Sequence, residues 1–215
     1  MTIKAEKFSS LEEYCNTTQY QKWLAQWKEP PGIDQWRDNE DGINRDWGTH
    51  YEITPRQHTA TRYSTRIPFH LIDSLGIGQE NTVDIGCGAN WFAKIYPNVF
   101  GVDPHGIEKD ELLTPDWWVN NWNKWPHAFA INSMHFFTQS QIIPQLEKVV
   151  GILKPDGTAL VTLNRQRIKD CTDTDYNEKN LLTDLENYNK ITRLLWIDYP
   201  HCASLDGNIW IYLKK

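Results

Sequence analysis

Hydrophobic and polar positions follow two different patterns along this 215-residue chain, and the change falls near residue 82. Before that point, apolar residues recur every three or four positions, which predicts amphipathic helices over residues 10–28 and 56–75. A Pro-Pro-Gly run ends the first helix, because proline lacks a backbone donor and disfavours helical geometry in the residue before it. The polar stretch 33–55 is predicted to be a long ordered loop.

From residue 82 onward, short apolar strands alternate with helical segments. This succession is typical of a parallel sheet whose strands are joined by helical crossovers. The pattern predicts strands over residues 82–86, 99–103, 117–120, 128–132 and 158–164, with a helix over 138–153 before the fifth strand. Two last strands, over 191–198 and 208–213, follow a helix near 178–189. They should be antiparallel, because the link between them is too short for a helical crossover.

The predicted fold class is therefore α/β, a three-layer sandwich around a mostly parallel seven-stranded sheet whose last strand is antiparallel. We expect residues 68–215 to form this sheet domain and residues 1–67 to form an N-terminal helical and Trp-rich extension or lid. Trp23 and Trp27 lie at helical spacing, so we expect them to dock the extension onto the sheet domain. Trp36 and Trp47 fit either the same docking role or the wall of a substrate pocket.

Composition and charge exclude several classes of protein. Lysine and arginine number 22 against 28 aspartates and glutamates, and the resulting net charge of −6 argues against wholesale neutralisation of a nucleic-acid backbone. No apolar stretch approaches the roughly 20 residues that a membrane helix needs. The four cysteines are scattered and form no Cys-x-x-Cys pair, so neither a disulfide framework nor a metal site is expected. We expect a cytoplasmic protein without a membrane partner.

A glycine-rich turn follows the first predicted strand of the sheet. The segment is Val83-Asp-Ile-Gly-Cys-Gly88, and an acid, Asp103, ends the next strand 19 residues after Asp84. Glycines in such a turn let backbone N–H groups approach a ligand with no side chain in the way. A carboxylate at the end of the following strand can accept hydrogen bonds from both hydroxyls of a ribose. The pattern favours a nucleotide-like ligand, and a tight turn followed by a solvated acid is the alternative.

Two further motifs accompany the turn. Gly-Val-Asp stands at residues 101–103, and Leu-Lys-Pro-Asp-Gly stands at 153–157, directly before a predicted strand. The last four residues of the second motif are predicted to form a turn, because proline presets φ and Gly157 can take the left-handed position. With the turn, these motifs make the chain similar to the class I S-adenosylmethionine-dependent methyltransferases, over residues 68–215 and including the terminal antiparallel strand pair. A dinucleotide-dependent dehydrogenase is the competing interpretation, but it would need a third glycine where Trp91 stands.

The resemblance implies S-adenosylmethionine as the cofactor and a set of residues that line it from end to end. They are Asp84, Gly86, Cys87 and Gly88 at the methionine end, Asp103 at the ribose, Pro104 and His105 beside the adenine, Asn121 or Asn120 at the adenine amine, and Asn132 at the methionine amine. The activity that it implies is methyl transfer, by direct displacement, to an acceptor that the sequence does not identify. A small molecule is favoured, and a nucleic acid or a protein remains open.

Three positions depart from the family's pattern. Asn90 stands where the family has its third motif glycine, although asparagine tolerates left-handed backbone geometry. Asn121 or Asn120 replaces an acid that commonly contacts the adenine amine, and an amide oxygen can still accept that hydrogen bond. Ala130 replaces an aspartate of the fourth strand. These departures support a second hypothesis, in which the fold is kept as a non-catalytic binding or structural module of a larger assembly.

The chemical step needs mainly alignment, because methyl transfer from a sulfonium is a direct displacement. A general base is needed only where the acceptor must lose a proton, and His135, after the fourth strand, is the candidate. The alternative is that His135 caps the next helix or packs beside Phe136 and Phe137. The Asn/Asp-Pro-Pro-Tyr/Phe tetrad of DNA amino-methyltransferases is absent, since Asn132-Ser-Met-His135 stands in its place.

The segment between Gly32 and Arg66 is predicted to close over the methionine end of the cofactor. It would bring Trp47, His50, Tyr51 and Arg62 to the site. Arg62 and Arg66 lie one helical turn apart, a spacing that allows them to clamp a carboxylate or a phosphate, although a solvated basic face is the alternative. Permanent docking by the tryptophans is the alternative to closure.

Overall fold

A computed structural model describes residues 2–28, 67–76, 80–88, 90–105, 109–131, 133–134, 137–165, 168–169, 176–198 and 208–215. The strands in these ranges are β1 Glu6–Phe8, β2 Thr82–Ile85, β3 Val99–Asp103, β4 Glu111–Leu112, β5 Trp125–Ile131, β6 Leu153–Leu163, β7 Ile191–Ile197 and β8 Ile209–Lys214. They form one sheet in the order β1-β7-β8-β6-β5-β2-β3-β4. Only β8 is antiparallel to its neighbours, β6 and β7. The predicted α/β class, mostly parallel sheet and antiparallel terminal pair are confirmed.

Helices cover both faces of the sheet. They are α1 Leu11–Cys15, α2 Thr18–Gln26, α3 Ile67–Ser74, α4 Trp91–Ile95, α5 Pro115–Asn120, α6 Gln139–Ile152 and α7 Glu178–Asn187. Successive residues of a strand point to opposite faces. In β8, for example, Ile211 packs with α5, α6 and α7, whereas Trp210 packs with α1, α2 and α3. In the portions of the chain given above, no helix is both long and apolar enough to cross a membrane.

The sheet has one strand more than the seven that the sequence predicts. β1 lies parallel to β7, with Glu6 opposite Leu195. Arg193 of β7 donates to both carboxylate oxygens of Glu6, at 2.7 and 2.9 Å. A strand of three residues is too short to show an alternating pattern, which is why the sequence does not reveal it. The start of the N-terminal extension is therefore part of the sheet.

The predicted helix over residues 10–28 is two helices with a break between them. Ser10 caps α1 by accepting a hydrogen bond from the N–H of Glu13 at 3.1 Å. Thr17 then caps α2 through a bond of 3.4 Å from the N–H of Tyr20. A second capping residue inside an otherwise periodic stretch is the signal for this break.

Trp23 and Trp27 dock the extension onto the rest of the fold, as predicted. Trp23 donates its indole N–H to Asp73 of α3 at 2.7 Å, and its ring lies 5.0 Å from the His70 ring. Trp27 packs against Phe69, with the ring centroids 6.0 Å apart. Of the predicted helix over residues 56–75, the described part is α3.

The predicted strand over residues 117–120 is wrong, because this segment lies in α5. Thr114 caps the helix by accepting from the N–H of Trp117 at 3.2 Å, and Pro115 occupies the first helical position. The third parallel strand is β4, which pairs with the end of β3. The apolar run of two tryptophans and a valine suggests a strand, but the Thr-Pro-Asp start signal before it decides for a helix.

The segment Lys154-Pro155-Asp156-Gly157 lies inside β6 rather than in a turn before it. The pairing of β5 with β6 shifts register between Trp125 and His127, opposite this segment. Asp156, and not Gly157, adopts the left-handed conformation, with a φ of +63°. The segment is thus an irregularity within a long strand.

Candidate functional site

The chain between β2 and α4 forms the tight turn that its glycines predict. Gly86 and Gly88 have φ values of +75° and +54°, which glycine adopts without strain. The N–H groups of Gly86 and Cys87 both donate to the carbonyl of Val102 in β3, at 2.7 and 3.1 Å. These bonds hold the turn at the carboxyl ends of the parallel strands, where open α/β sheets bind ligands.

The chain just after β5 packs directly against this turn. The Ser133 hydroxyl donates to the carbonyl of Ile85 at 2.6 Å. A Cβ on Gly86 would lie 2.9 Å from the Ser133 Oγ and closer still to its Cβ, so a side chain at Gly86 is sterically excluded. The chain leaves β2 towards β3 on one side and later returns as β5 on the other. The turn therefore lies at the topological switch point of the sheet.

Asp103, at the end of β3, is placed beside the glycine turn as predicted. It is buried, and its carboxylate accepts a hydrogen bond from the N–H of Gly88 at 3.0 Å. The N–H of His105 donates to the other carboxylate oxygen at 2.6 Å. Pro104 lies between these two residues at the same edge. The two bonds fix the orientation of this acid at the end of β3, beside the turn.

Asp84, just before the turn, is a buried carboxyl group in an unfavourable environment. It is 2% exposed, and its Oδ2 has no hydrogen-bond partner among the described residues. Burial raises the pKa of this carboxyl well above its usual range, and the charge of Asp103 raises it further. An unsatisfied buried carboxylate destabilises the folded chain. A buried carboxyl group whose pKa is strongly shifted is a candidate for a ligand site.

Asn90 occupies the position of the third motif glycine and keeps the backbone geometry of a glycine. Its φ is +55°, in the left-handed region, directly before α4. Its Nδ2 donates to Asp110 at 3.2 Å, and the same oxygen of Asp110 accepts from the N–H of Gly101 at 2.7 Å. The side chain lies over Gly101, where a Cβ would be 2.5 Å from its Cγ. A glycine in the neighbouring strand therefore makes room for the asparagine.

Cys87 lies within the turn and stays protonated. Burial raises the pKa of its thiol to about 12, and the charges of Asp84, Asp103 and Asp110 contribute to this shift. A thiol with a raised pKa is a poor nucleophile, because only the thiolate attacks. Cys87 can therefore line a ligand but does not fit a covalent role.

Asn121 is not brought together with these residues. Its amide donates to the carbonyl of Trp117 at 2.9 Å, at the C-terminal end of α5. The N–H of Lys124, which follows, donates to the carbonyl of Ile152 just before β5 begins. Because β2 and β5 are parallel, the start of β5 and the turn after β2 lie at opposite edges of the sheet. The adenine contact assigned to Asn121 or Asn120 depended on the wrong strand prediction and does not fit this position.

Several predicted residues lie outside the described part of the chain. These are Asn132 and His135 after β5, and Trp36, Trp47, His50, Tyr51, Arg62 and Arg66 in the segment that precedes α3. Ala130, by contrast, is fully buried in β5, within the core formed with α6.

Three contributors to the site were missed from the sequence. Ser133 joins the ends of β2 and β5, and Asp110 anchors Asn90 through a contact between residues 20 positions apart. Gly101 is the contributor with a usable signal, because a glycine inside a strand often marks the close approach of another group.

Comparisons with known proteins concern the fold. No protein-family model and no curated protein matches the chain. A SAM-dependent methyltransferase from Archaeoglobus fulgidus aligns over 71% of this chain and 92% of its own, with 14% identity and a TM-score of 0.44. A putative type 11 methyltransferase from Sulfolobus solfataricus aligns over 69% and 90%, with 18% identity and a TM-score of 0.42. A putative hemolysin from Streptococcus thermophilus aligns over 69% and 64%, with 12% identity and a TM-score of 0.44.

Proposed function

We propose that this protein binds S-adenosylmethionine at the glycine turn and transfers the methyl group to an acceptor by direct displacement. The observation that carries the proposal is the convergence of buried Asp84, the bare turn of Gly86 and Gly88, and the oriented carboxylate of Asp103 at the switch point of the sheet. When bound, this cofactor supplies an electrophilic methyl group on a positively charged sulfur.

The residues of the turn fit the cofactor in charge and in shape. Asp103 would accept the hydroxyls of the ribose, and the glycines allow a close approach of backbone to ligand. The buried Oδ2 of Asp84 has no donor among the described residues, and a ligand with a cationic end would relieve that deficit. Cys87 would contact the ligand as a neutral thiol.

The acceptor is proposed to be a small molecule, with His135 as the base where the acceptor must lose a proton. The raised pKa of the Cys87 thiol makes this residue a poor nucleophile, which supports displacement without a covalent intermediate on Cys87. Alignment of two bound reactants can supply about 7–11 kcal/mol of the barrier. Binding and orientation are therefore the main tasks of the chain.

Isothermal titration with S-adenosylmethionine and with S-adenosylhomocysteine tests the proposal. We expect Asp103→Ala to weaken binding by about 1.5–3 kcal/mol, or roughly 10- to 150-fold, since it removes hydrogen bonds to a charged group. Asp184→Ala, which removes an exposed acid on α7, is the matched control and should bind like the unmodified protein. Folded protein that binds neither ligand would refute the proposal.

The second candidate function is a binding module that transfers no methyl group. Val119 in α5 and Trp122 just after it are 73% and 54% exposed, and exposed apolar side chains would support a contact surface. The two candidates differ in turnover. Conversion of S-adenosylmethionine to S-adenosylhomocysteine, when the protein is supplied with a small-molecule extract, excludes the module.

A further inference from the structure

A cleft of about 480 Å³ lies at the edge of the sheet opposite to the glycine turn. It is formed at the starts of β2, β5 and β6, which are neighbouring parallel strands. The residues that line it are Glu80, Asn81, Lys124, Trp125, Pro126 and Lys154. Because the glycine turn follows the other end of β2, the cleft is separate from the proposed cofactor site.

The cleft exists because the three strands begin at different levels. Thr82, the first residue of β2, pairs with His127, so β5 begins two residues earlier than its neighbour. On the other side, the pairing of β5 with β6 shifts register between Trp125 and His127. Gly157 of β6 packs closely against Pro126, since a Cβ there would lie 2.9 Å from the Pro126 carbonyl oxygen. Trp125 and Pro126 therefore extend past the start of β2 and form a wall of the cleft.

Two ammonium groups of the cleft wall have no partner in the described part of the chain. Lys124 and Lys154 are both exposed, and neither Nζ makes an ion pair or a hydrogen bond there. Asp156, two residues after Lys154, is paired with Lys214 at 3.1 Å, so its charge is compensated. Glu80 is the one acid among the described lining residues. The wall therefore carries more positive than negative charge, in a chain whose net charge is −6.

An apolar surface lies beside these cations. Trp125 is half-buried and packs against Phe100, with the ring centroids 5.6 Å apart, and Pro126 follows it. The indole Nε1 of Trp125 is buried and has no acceptor among the described residues. A buried donor without an acceptor destabilises the folded chain. The wall thus combines two cations, a donor that lacks an acceptor, and an apolar surface.

We propose that this cleft binds a phosphorylated small molecule, with the phosphate between Lys124 and Lys154 and the organic part against Trp125 and Pro126. A lysine ammonium is a compact point charge that suits a phosphate. The described lining residues include no arginine, the residue that binds a carboxylate through two parallel hydrogen bonds. The volume of about 480 Å³ lies within the roughly 300–1,000 Å³ of small-molecule sites.

The charges of the wall give variants with opposite expected effects. Lys124→Gln and Lys154→Gln each remove one cation and should weaken binding of a phosphate dianion at least about threefold. Glu80→Gln removes the acid of the wall and should tighten the same binding about twofold or more. Lys22→Gln removes an exposed cation on α2 and is the matched control, with unchanged binding. Loss of structure would not tighten binding, so Glu80→Gln separates a charge effect from a folding defect.

Two-dimensional NMR of the indole N–H groups measures binding at the cleft. Phenyl phosphate, inorganic phosphate and phenol are titrated separately at constant ionic strength, with the Trp125 indole signal as the readout. We expect phenyl phosphate to shift this signal saturably and to bind more tightly than inorganic phosphate, which lacks an apolar part. Phenol, which lacks the charge, should bind more weakly than phenyl phosphate. The indole signal of Trp23, which is bonded to Asp73, should not move.

The outcomes decide on the cleft independently of the proposed function. A Trp125 signal that does not move with phenyl phosphate, or that moves equally with sodium chloride, overturns the proposal. Phenol that binds as tightly as phenyl phosphate overturns it as well, because the site is then apolar. Equal affinities in the unmodified chain and in Lys124→Gln, Lys154→Gln or their double variant do the same. Weaker binding in Glu80→Gln would show that the wall does not select an anion.

Discussion

Asn90 and Gly101 should be energetically coupled, because the side chain of one fills the space where a side chain of the other would stand. A Cβ on Gly101 would lie 2.5 Å from Cγ and 2.9 Å from Nδ2 of Asn90, and closer still to its Oδ1. Gly101 itself lies within β3 and has no positive φ, so alanine there meets no backbone strain. The three atoms nearest to that Cβ all belong to Asn90, so we expect the main cost of Gly101→Ala to come from displacing this side chain.

The size of that cost follows from two contributions. Forcing a methyl group into a filled space costs roughly 1–3 kcal/mol. Displacing the Asn90 amide from the Asp110 carboxylate removes a hydrogen bond to a charged group, worth about 1.5–3 kcal/mol. Gly101→Ala should therefore lower the free energy of unfolding by roughly 3 kcal/mol or more. That is a large fraction of the roughly 5–15 kcal/mol that stabilises an ordinary domain.

The same alanine should be tolerated once Asn90 is replaced by glycine. Asn90→Gly loses the bond to Asp110 but is relieved of left-handed strain, so it should cost about 2 kcal/mol or less. In that background the three atoms nearest to the new methyl group, all of them from Asn90, are gone, and the second substitution should cost less than about 1 kcal/mol. The expected coupling between the two positions is therefore about 2 kcal/mol or more, in the favourable direction.

Urea unfolding of the four proteins, followed by circular dichroism, measures this coupling. The cycle compares the unmodified chain, Asn90→Gly, Gly101→Ala and the double variant. Costs that add to within about 0.5 kcal/mol would show that the two positions do not share space and would refute the reasoning. A double variant less stable than Gly101→Ala alone would do the same.

Two further predictions follow from buried titratable groups. Burial lowers the pKa of His70 to about 4, and the unfolded chain therefore binds a proton below pH 6.5 that the folded chain does not. The free energy of unfolding should fall by up to about 3 kcal/mol as the pH drops from about 6.5 to 4. Urea unfolding measures this loss, which should be absent in His70→Gln and present in the control variant His127→Gln. Asp84→Asn should raise the thermal midpoint of unfolding at neutral pH. The pKa of Asp84 is raised in the folded chain, so ionisation of this carboxyl group destabilises the fold at that pH, and the amide removes this cost. The same variant should bind S-adenosylmethionine at least about tenfold more weakly by calorimetry, and unchanged binding would show that Asp84 does not face the ligand.

The parts of the fold that the sequence predicts well are those with a strong local signal. β2, β3, β7, β8 and the second half of β6 are apolar runs bounded by polar or turn residues, and α6 has a long helical stripe after its capping box. β1 and β4 have three and two residues, and each is held in place by an adjacent strand rather than by its own pattern. Pairing partners far along the chain are tertiary information that periodicity does not contain.

The candidate site divides in the same way. Asp84, Gly86, Gly88 and Asp103 were predicted because one turn and one strand end carry them. Asn121 was misplaced because the neighbouring strand was misassigned. Ser133 and Asp110 were missed because their roles depend on contacts 48 and 20 positions away along the chain. Such contacts exist only once the sheet has brought the strand ends together.

The asparagine in the motif supports a retained site better than a decayed one. A motif that had lost its function would be free to lose the left-handed turn, yet Asn90 keeps a φ of +55° at some cost in backbone strain. The surroundings also accommodate it, because Gly101 leaves space for the side chain and Asp110 accepts its amide. Gly101 weakens its strand because it is a glycine, and without the Asn90 side chain the space above it would be unfilled and would weaken the packing. Asn90, Gly101 and Asp110 thus hold the turn in the shape that the proposed ligand binding requires.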